Sequence, residues 1–297
     1  MNYTRLGSSD LVVSEIAFGG MSLEKETATQ LLQQAFDKGI TFFDTADIYN
    51  KGENERMMGE ALRSHRKDIV LATKVGNQER ADGKGWDWNP TKAYILESVE
   101  KSLTRLQTDY IDLYQLHGGT IEDPIDETIE AFELLKDQGK IRAYGISSIR
   151  PNVINEYVKR SNIASVMMQY SLLDRRPEEN VLDLLAEHNI SVLARGSVAK
   201  GLLAGKTPEP YLNYNESEVQ QAAEAIKALS SAERNEAATA IRYALFPRAV
   251  AAAVVGIRTL KQLEDALKAG EATLSPEEFS ELGNVLSAAN YKEHRIN

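Results

Sequence analysis

Short apolar runs alternate with longer amphipathic stretches along most of this chain. The apolar runs read EIAFG, TFFDTA, IVLATKV, YIDLYQLH, IRAYGISS, SVMMQY, SVLARG and AVAAAVVGI. Between them, segments such as KETATQLLQQAFDKG and TKAYILESVEKSLTRLQ carry apolar residues three and four positions apart, as an amphipathic helix requires. Strands that alternate with helices predict a parallel sheet, and closing that sheet into a barrel removes its edges. We therefore predict an α/β protein built as a (β/α)8 TIM barrel.

Turn and cap residues extend this prediction to both ends of the chain. A β-hairpin is expected at the N-terminus, with strands over 3–6 and 11–13. Gly39 and Gly139 each follow an amphipathic stretch, at a position where glycine commonly ends a helix. Pro90 and Thr91 are expected to open the third helix, and Ser275 with Pro276 an extra C-terminal helix.

One domain spanning residues 1–297 is the predicted organisation, because no Pro/Ser/Gly-rich linker or low-complexity tract interrupts the chain. Two segments break the alternation, 78–89 and 196 to about 230, and long segments in such barrels often build the active site. An open, doubly wound sheet is the structural alternative. Its usual G-x-G-x-x-G fingerprint after the first strand is absent.

Composition narrows the classes of function. Hydrophobic residues make up 42% and charged residues 26%, and the net charge is −10, which argues against general binding to nucleic acids or anionic membranes. The sequence has no cysteine, so disulfides and thiolate metal sites are excluded. The first residues lack the basic segment and long apolar run of a secretory signal, and we expect a cytoplasmic protein.

Four polar side chains lie at the ends of three neighbouring predicted strands. TFFDTADIY ends in Asp44 with Tyr49 five residues on, IVLATK ends in Lys74, and YIDLYQLH ends in His117. Functional groups of a βα barrel gather at the carboxyl ends of its strands. Taken singly, Asp44 could be a helix N-cap, Lys74 a solvated strand end and Tyr49 a packing residue. Together they form a predicted catalytic constellation.

The chemistry of these four groups suits the reduction of a carbonyl group, which needs hydride at carbon and a proton at oxygen. A tyrosine with an ordinary pKa near ~10 is a poor proton relay at neutral pH. A nearby ammonium lowers the pKa of the phenol, so Lys74 could tune Tyr49 while Asp44 holds Lys74. His117 would orient and polarise the carbonyl oxygen.

FDTADIY, ATKVG and DLYQLH resemble the Asp, Tyr, Lys and His motifs of the aldo-keto reductase family, and the resemblance covers nearly the whole chain. It implies an NADP(H)-dependent oxidoreductase that reduces aldehydes or ketones on an eight-stranded barrel, with NAD(H) the less favoured cofactor. By the same resemblance Tyr49 is the proton donor, Lys74 and Asp44 tune it, and His117 positions the substrate.

The resemblance also implies cofactor contacts. Ser147 and Ser148 stand where the family usually has Ser-Asn, Arg195 where many relatives have a ring-stacking tyrosine, and Arg258 is the candidate for a 2′-phosphate. Ala266 replaces an adenine-contacting asparagine, and Met167 a common glutamine, whose role Gln169 could take. The full set of expected contacts is Gly20, Met21, Asp44, Ser147, Ser148, Gln169, Tyr170, Arg195, Gly196, Ser197, Val198, Ala199, Lys200, Gly201, Leu202, Lys206, Gly256, Arg258, Gln262 and Asp265.

Met21, Tyr49, Trp86, Trp88 and His117 are the expected walls of a pocket for a small carbonyl substrate. No metal site is predicted, since no H-E-x-x-H or comparable spacing occurs. Two other functions stay open at this stage. One is a catalytically weak NADPH-binding regulatory subunit of the same fold, and the other is a different barrel enzyme, such as a phosphate-binding isomerase or aldolase.

Overall fold

Twelve β-strands appear in the computed structural model, which describes residues 1–296, and eight of them form a closed barrel. In chain order the strands are β1 (Tyr3–Arg5), β2 (Val12–Ser14), β3 (Ile16–Gly19), β4 (Phe42–Asp44), β5 (Val70–Val75), β6 (Asn77–Glu79), β7 (Trp86–Trp88), β8 (Ile111–Leu116), β9 (Ile141–Ser147), β10 (Ser165–Gln169), β11 (Ser191–Arg195) and β12 (Val250–Gly256). The barrel runs β3-β4-β5-β8-β9-β10-β11-β12 and closes back on β3, with every neighbouring pair parallel. The (β/α)8 prediction is confirmed, and the open sheet is excluded.

Helices follow the barrel strands and cover their outer faces. They are α1 (Lys25–Asp37), α2 (Glu53–Leu62), α3 (Lys92–Leu106), α4 (Ile125–Asp137), α5 (Pro151–Arg160), α6 (Val181–Glu187), α7 (Glu216–Ala228), α8 (Glu236–Leu245), α9 (Leu260–Glu271) and α10 (Pro276–Gly283). Of these, α7 lies in the long segment between β11 and α8, and α10 is the predicted extra C-terminal helix. No helix of residues 1–296 is both long enough and apolar enough to span a bilayer.

The strand alternation divides the buried side chains into two cores. Phe42, Ala72 and Leu113 belong to the cluster that fills the barrel, whereas Phe43, Leu71 and Tyr114 pack outward against the helices. Successive side chains of a strand point to opposite faces. A residue two positions beyond an inward apolar residue therefore also points inward, but one layer nearer the carboxyl end.

Cap residues fix the helix ends much as predicted. Gly39 and Gly139 follow α1 and α4 with positive φ angles of 91° and 72°, a backbone region that glycine enters at little cost. Thr91 accepts from the backbone N–H of Tyr94 and so caps α3. Ser275 caps α10 in a reciprocal capping box with Glu278.

The N-terminal hairpin and the two long segments occupy opposite ends of the barrel. β1 and β2 pair antiparallel, as predicted, and residues Leu6 and Leu11 of their turn join the core inside the barrel. Segment 78–89 forms most of a second antiparallel hairpin, β6–β7, at the carboxyl end of the strands. Segment 196–230 begins with a 3-10 turn and continues into α7, capped by Asn215.

Candidate active site

The barrel interior holds a buried ion pair at the carboxyl ends of β4 and β5. Lys74 Nζ lies 2.7 Å from Asp44 Oδ2 and also donates to the backbone carbonyl of Thr45 at 2.7 Å. The two side chains are 1% and 5% exposed. Asp44 follows the inward Phe42 by two residues and Lys74 follows the inward Ala72 by two, so strand alternation brings them together.

Burial and charge act on this pair in opposite directions. Burial raises the pKa of Asp44, and the ammonium of Lys74 opposes that rise. Burial is the largest single effect on Lys74 and disfavours its charged form, but the charges and hydrogen bonds of Asp44 and Tyr49 together outweigh it, so the pKa of Lys74 is raised. Lys74 therefore stays protonated at neutral pH.

Tyr49 reaches the same cavity from a turn with unusual backbone geometry. Asn50, Lys51 and Gly52, the next three residues, have positive φ angles of 48°, 54° and 85°. Tyr49 meets the ring of His117 edge to face with centroids 5.8 Å apart. Lys74 Nζ lies 5.1 Å from the centre of the Tyr49 ring. The four residues expected at three strand ends thus lie together.

The pKa of Tyr49 departs from the sequence expectation. Burial raises it above its ordinary value, and the charge of Lys74 lowers it by less than burial raises it. Lys74 acts in the expected direction, but the expected net decrease is wrong, because desolvation of the phenolate is the larger effect. Tyr49 consequently keeps its proton at neutral pH.

His117 is a neutral imidazole at physiological pH. Burial, followed by the positive charges of Lys74 and Arg195, lowers its pKa to about 3. Its Nδ1 atom is buried and has no hydrogen-bond partner among residues 1–296. A neutral imidazole carries one N–H donor, so it can offer a hydrogen bond to an oxygen without adding a charge.

Several buried residues that the sequence interpretation missed hold Asp44 and its turn in place. Gln115 Nε2 is 3.4 Å from Asp44 Oδ1 and reaches it from β8, two residues beyond the inward Leu113. Asn54 accepts from Thr45 at 2.6 Å and donates to the carbonyl of Gly20 at 2.6 Å. The two-residue alternation along YIDLYQLH is the signal that could have identified Gln115.

A cavity of about 850 Å³ opens above the ion pair at the carboxyl ends of the strands. All five expected pocket residues line it, although Met21 and Trp86 are 71% and 55% exposed at its rim. Trp88 is held more firmly, because its indole N–H donates to the carboxylate of Asp123 at 2.9 Å. The remaining lining residues are Ile48, Asn50, Lys74, Gly118, Gly119, Thr120, Ser147, Ser148, Ile149, Arg150, Met167 and Arg195.

Expected nicotinamide contacts meet at this cavity only in part. Ser147, Ser148 and Arg195 line it, whereas Gln169 is bonded to Tyr211 at 2.8 Å and to Arg195 at 3.2 Å.

Tyr170 needs correction as a cofactor contact. It is fully buried, and its hydroxyl donates to Glu178 at 2.8 Å. Met168 and Tyr170 pack in the outer core, whereas Met167 faces the barrel interior, so the alternation carries Tyr170 away from the cavity.

The loop after β11, residues 196–206, combines buried side chains with exposed ones. Ser197, Ala199 and Leu202 are buried. Lys200 is exposed, with a positive φ of 58°, and Lys206 pairs with Glu209 at 2.7 Å. The other expected contacts of this loop are Gly196, Val198 and Gly201, of which Gly196 and Gly201 also have positive φ angles.

The expected adenosine contacts lie after β12. Gly256 and Arg258 are exposed, and the side chain of Gln262 accepts from the backbone N–H of Arg258 at 3.0 Å. Asp265 is bonded to Asn235 at 2.7 Å and pairs with Lys261 at 3.1 Å. Its carboxylate therefore ties α9 to the start of α8, a structural role that the sequence interpretation did not include. Gly20, another expected contact, is buried, and its carbonyl accepts from Asn54.

A smaller cavity of about 270 Å³ lies behind the Tyr49 turn and shares Ile48 and Trp86 with the larger one. Asp47 lines it, and one carboxylate oxygen of Asp47 is buried without a partner among the described residues. Burial, followed by the negative charge of Glu55, raises the pKa of Asp47 to about 8. Asp47 is therefore largely protonated at neutral pH.

A closed βα barrel with a Lys–Asp pair, a tyrosine and a neutral histidine around one cavity defines a class of oxidoreductases that act on carbonyl and alcohol groups. The model of the aldo/keto reductase family matches residues 15–286, so this chain belongs to the aldo/keto reductase family. Its members use nicotinamide cofactors.

Similar proteins cover the whole chain. An uncharacterized oxidoreductase, YqkF of Bacillus subtilis, is 51% identical over 99% of this chain and 100% of its own length. The holo form of aldo-keto reductase AKR11C1 from Bacillus halodurans is 50% identical, covers both chains completely and superposes with a TM-score of 0.94. An NADH-specific methylglyoxal reductase of Escherichia coli is 30% identical over 70% of each chain.

Proposed function

We propose that this chain, as one catalytic domain over residues 1–297, reduces aldehydes or ketones to alcohols with NADP(H), and that Tyr49 donates the proton. The observation that carries the proposal is the grouping of a protonated Tyr49, the Lys74–Asp44 pair and a neutral His117 around one cavity. Membership of the aldo/keto reductase family argues against the other alternative, a phosphate-binding isomerase or aldolase.

Proton transfer follows from the charges of these side chains. Tyr49 holds a proton at neutral pH and can give it to a carbonyl oxygen as negative charge develops there. The ammonium of Lys74 stabilises the tyrosinate that is left, and Asp44 keeps Lys74 in position. His117 offers a neutral N–H, so it orients the oxygen without competing as an acid.

The residues around the cavity suit a nicotinamide. Ser147 and Ser148 provide hydroxyls that can bond a carboxamide, and the guanidinium of Arg195 can lie against an aromatic ring. When bound, the nicotinamide supplies hydride to the carbonyl carbon. Backbone of the 196–206 loop, with Lys200 and Lys206, is proposed to follow the pyrophosphate, and Gln262 the adenosine.

Preference for NADP(H) rests on Arg258. Its side chain is exposed, and no acidic side chain pairs with it within residues 1–296, so its fork of donors is free for a phosphate. One relative is named as NADH-specific and another carries NADP(+) in its name, so the family accommodates both cofactors. We place NADP(H) first because the free guanidinium matches a 2′-phosphate and NAD(H) lacks that group.

Tyr49→Phe is the direct test. The substitution removes the hydroxyl but keeps the ring that packs on His117, so folding and NADPH binding should change little. Turnover of a reactive aldehyde should fall by about 10²- to 10⁴-fold, the usual worth of general acid catalysis. Consumption of NADPH at its absorbance maximum gives the rate, and quenching of protein fluorescence gives the dissociation constant.

Three results are informative. Unchanged turnover in Tyr49→Phe would exclude Tyr49 as the proton donor. A wild-type protein that binds NADPH tightly but turns over no aldehyde, ketone or dicarbonyl would support the regulatory alternative. Tyr110→Phe, which removes a hydroxyl at the opposite end of the barrel strands, is the matched control and should retain wild-type turnover.

A further inference from the structure

The large cavity is positively charged inside a strongly acidic protein. The chain carries a net charge of −10 and contains 44 acidic residues, yet no aspartate or glutamate is among the described residues that line the cavity. Lys74 is neutralised by Asp44 beneath the cavity floor. The guanidinium groups of Arg150 and Arg195 therefore have no acidic partner among the residues that line the cavity.

Arg150 stands on the side of the cavity where a substrate would lie. It directly precedes α5, and its guanidinium donates to the carbonyl of Gly119 in the loop that follows β8 and His117. Gly118 of the same loop lies against the ring of Trp88. Arg195 is bonded instead to Gln169, across the β10–β11 pair. The two arginines therefore belong to different walls.

The donors of Arg150 are mostly unused. A guanidinium carries five N–H donors, and the side chain of Arg150 makes one hydrogen bond within residues 1–296, to Gly119. No carboxylate in that part of the chain lies within ion-pair distance of it, although arginines elsewhere, such as Arg105, Arg176 and Arg234, each have an acidic partner. A partly buried, unpaired guanidinium matches a carboxylate or phosphate group.

We propose that Arg150 binds an anionic group of the carbonyl substrate, so that the preferred substrates are aldehydes or ketones bearing a carboxylate or a phosphate. This inference rests on the proposed carbonyl reduction. The loop residue Gly119 holds Arg150 over the cavity, and His117 two positions earlier holds the carbonyl oxygen. One substrate can then reach both groups.

The test compares matched substrates that differ in charge. Para-carboxybenzaldehyde and its methyl ester form one pair, and glyceraldehyde phosphate and glyceraldehyde form the other. Each pair has an anionic and an uncharged member with the same carbonyl. Steady-state kcat and KM are measured with NADPH for the wild type, for Arg150→Met and for Arg248→Met. Arg248 is an exposed arginine at the opposite end of the barrel strands, so its variant controls for the loss of one charge.

We expect wild-type kcat/KM to favour the anionic member of at least one pair by about ten-fold or more, with Arg150→Met removing that preference mainly through KM. The pair in which the anionic member is preferred shows whether the cavity selects a carboxylate or a phosphate. Arg248→Met should keep the wild-type preference. Equal losses for charged and uncharged members in Arg150→Met would show that Arg150 only braces two loops, and no wild-type preference in either pair would also overturn the inference. If no substrate is reduced at all, the proposed function itself fails.

Discussion

Replacing Lys74 by methionine would expose how much the fold depends on the charges of its active site. The substitution keeps most of the side-chain volume but removes the ammonium that lies 2.7 Å from Asp44. At an effective dielectric constant of about 20, unit charges at that separation attract by about 6 kcal/mol, before the cost of desolvating them. Removing one partner of a buried pair typically costs about 3–5 kcal/mol, because the other charge stays buried and unpaired.

The loss should depend on pH. Without Lys74, the pKa of Asp44 rises further above its value in the unfolded chain, so the unfolded state binds fewer protons in the intervening pH range. The stability of the variant then falls as the pH increases. At about pH 8 we expect the full loss of about 3–5 kcal/mol. At about pH 5 Asp44 should be protonated in the variant. The remaining loss of stability then comes mainly from the Thr45 carbonyl, which no longer accepts a hydrogen bond from Lys74, and should be about 1–3 kcal/mol.

Urea denaturation followed by far-ultraviolet circular dichroism at both pH values measures this difference. The double variant Asp44→Asn/Lys74→Met lacks the unpaired carboxyl and should recover much of the stability at pH 8. Neither variant should recover carbonyl reduction, since the tyrosinate of Tyr49 would have no cation beside it. A loss that is the same at both pH values, or a double variant no more stable than Lys74→Met, would refute this account of the pair.

Two further substitutions test charges outside the ion pair. Asp47→Asn should stabilise the protein at high pH. The pKa of Asp47 is about 8 in the folded chain and near its ordinary 3.8 in the unfolded chain. The unfolded state therefore loses this proton first as the pH rises, which destabilises the wild-type fold by up to about 5 kcal/mol at pH 8. Thermal unfolding should show a variant-minus-wild-type difference in Tm that widens from pH 5 to pH 8, and a constant difference would contradict the buried, protonated state. Arg258→Ala should raise the Kd for NADPH by about 10- to 100-fold and leave the Kd for NADH nearly unchanged, as measured by fluorescence titration. Equal losses for both nucleotides would remove Arg258 from the 2′-phosphate.

The proposed catalytic group was accessible from sequence because it obeys the geometry of parallel strands. Asp44, Lys74 and His117 close three apolar runs, and strands that run the same way bring their carboxyl ends to one edge. The period of two along each strand sets which side chains face inward. The same rule predicts that Tyr170 in SVMMQY faces the outer helices and not the barrel interior. In DLYQLH it predicts that Gln115 faces the interior, where it contacts Asp44.

Other features of the site needed the tertiary structure. The pKa of Tyr49 is the balance of burial against the charge of Lys74, and sequence motifs carry no measure of burial. Asp265 bonds Asn235, which is 30 residues away, so its engagement depends on how α8 packs against α9. Arg150 donates to the carbonyl of Gly119 in the loop after His117, a contact between segments 31 residues apart that only the folded chain brings together.

The sequence by itself therefore determined the barrel, its helix caps and the four residues of the proposed catalytic group, because strand period, cap chemistry and chain direction are local properties. Closure of the barrel decided the rest. It set which charges are buried, which ones find a partner, and that two arginines face the cavity with no carboxylate beside them, since these depend on distances between segments far apart in the chain.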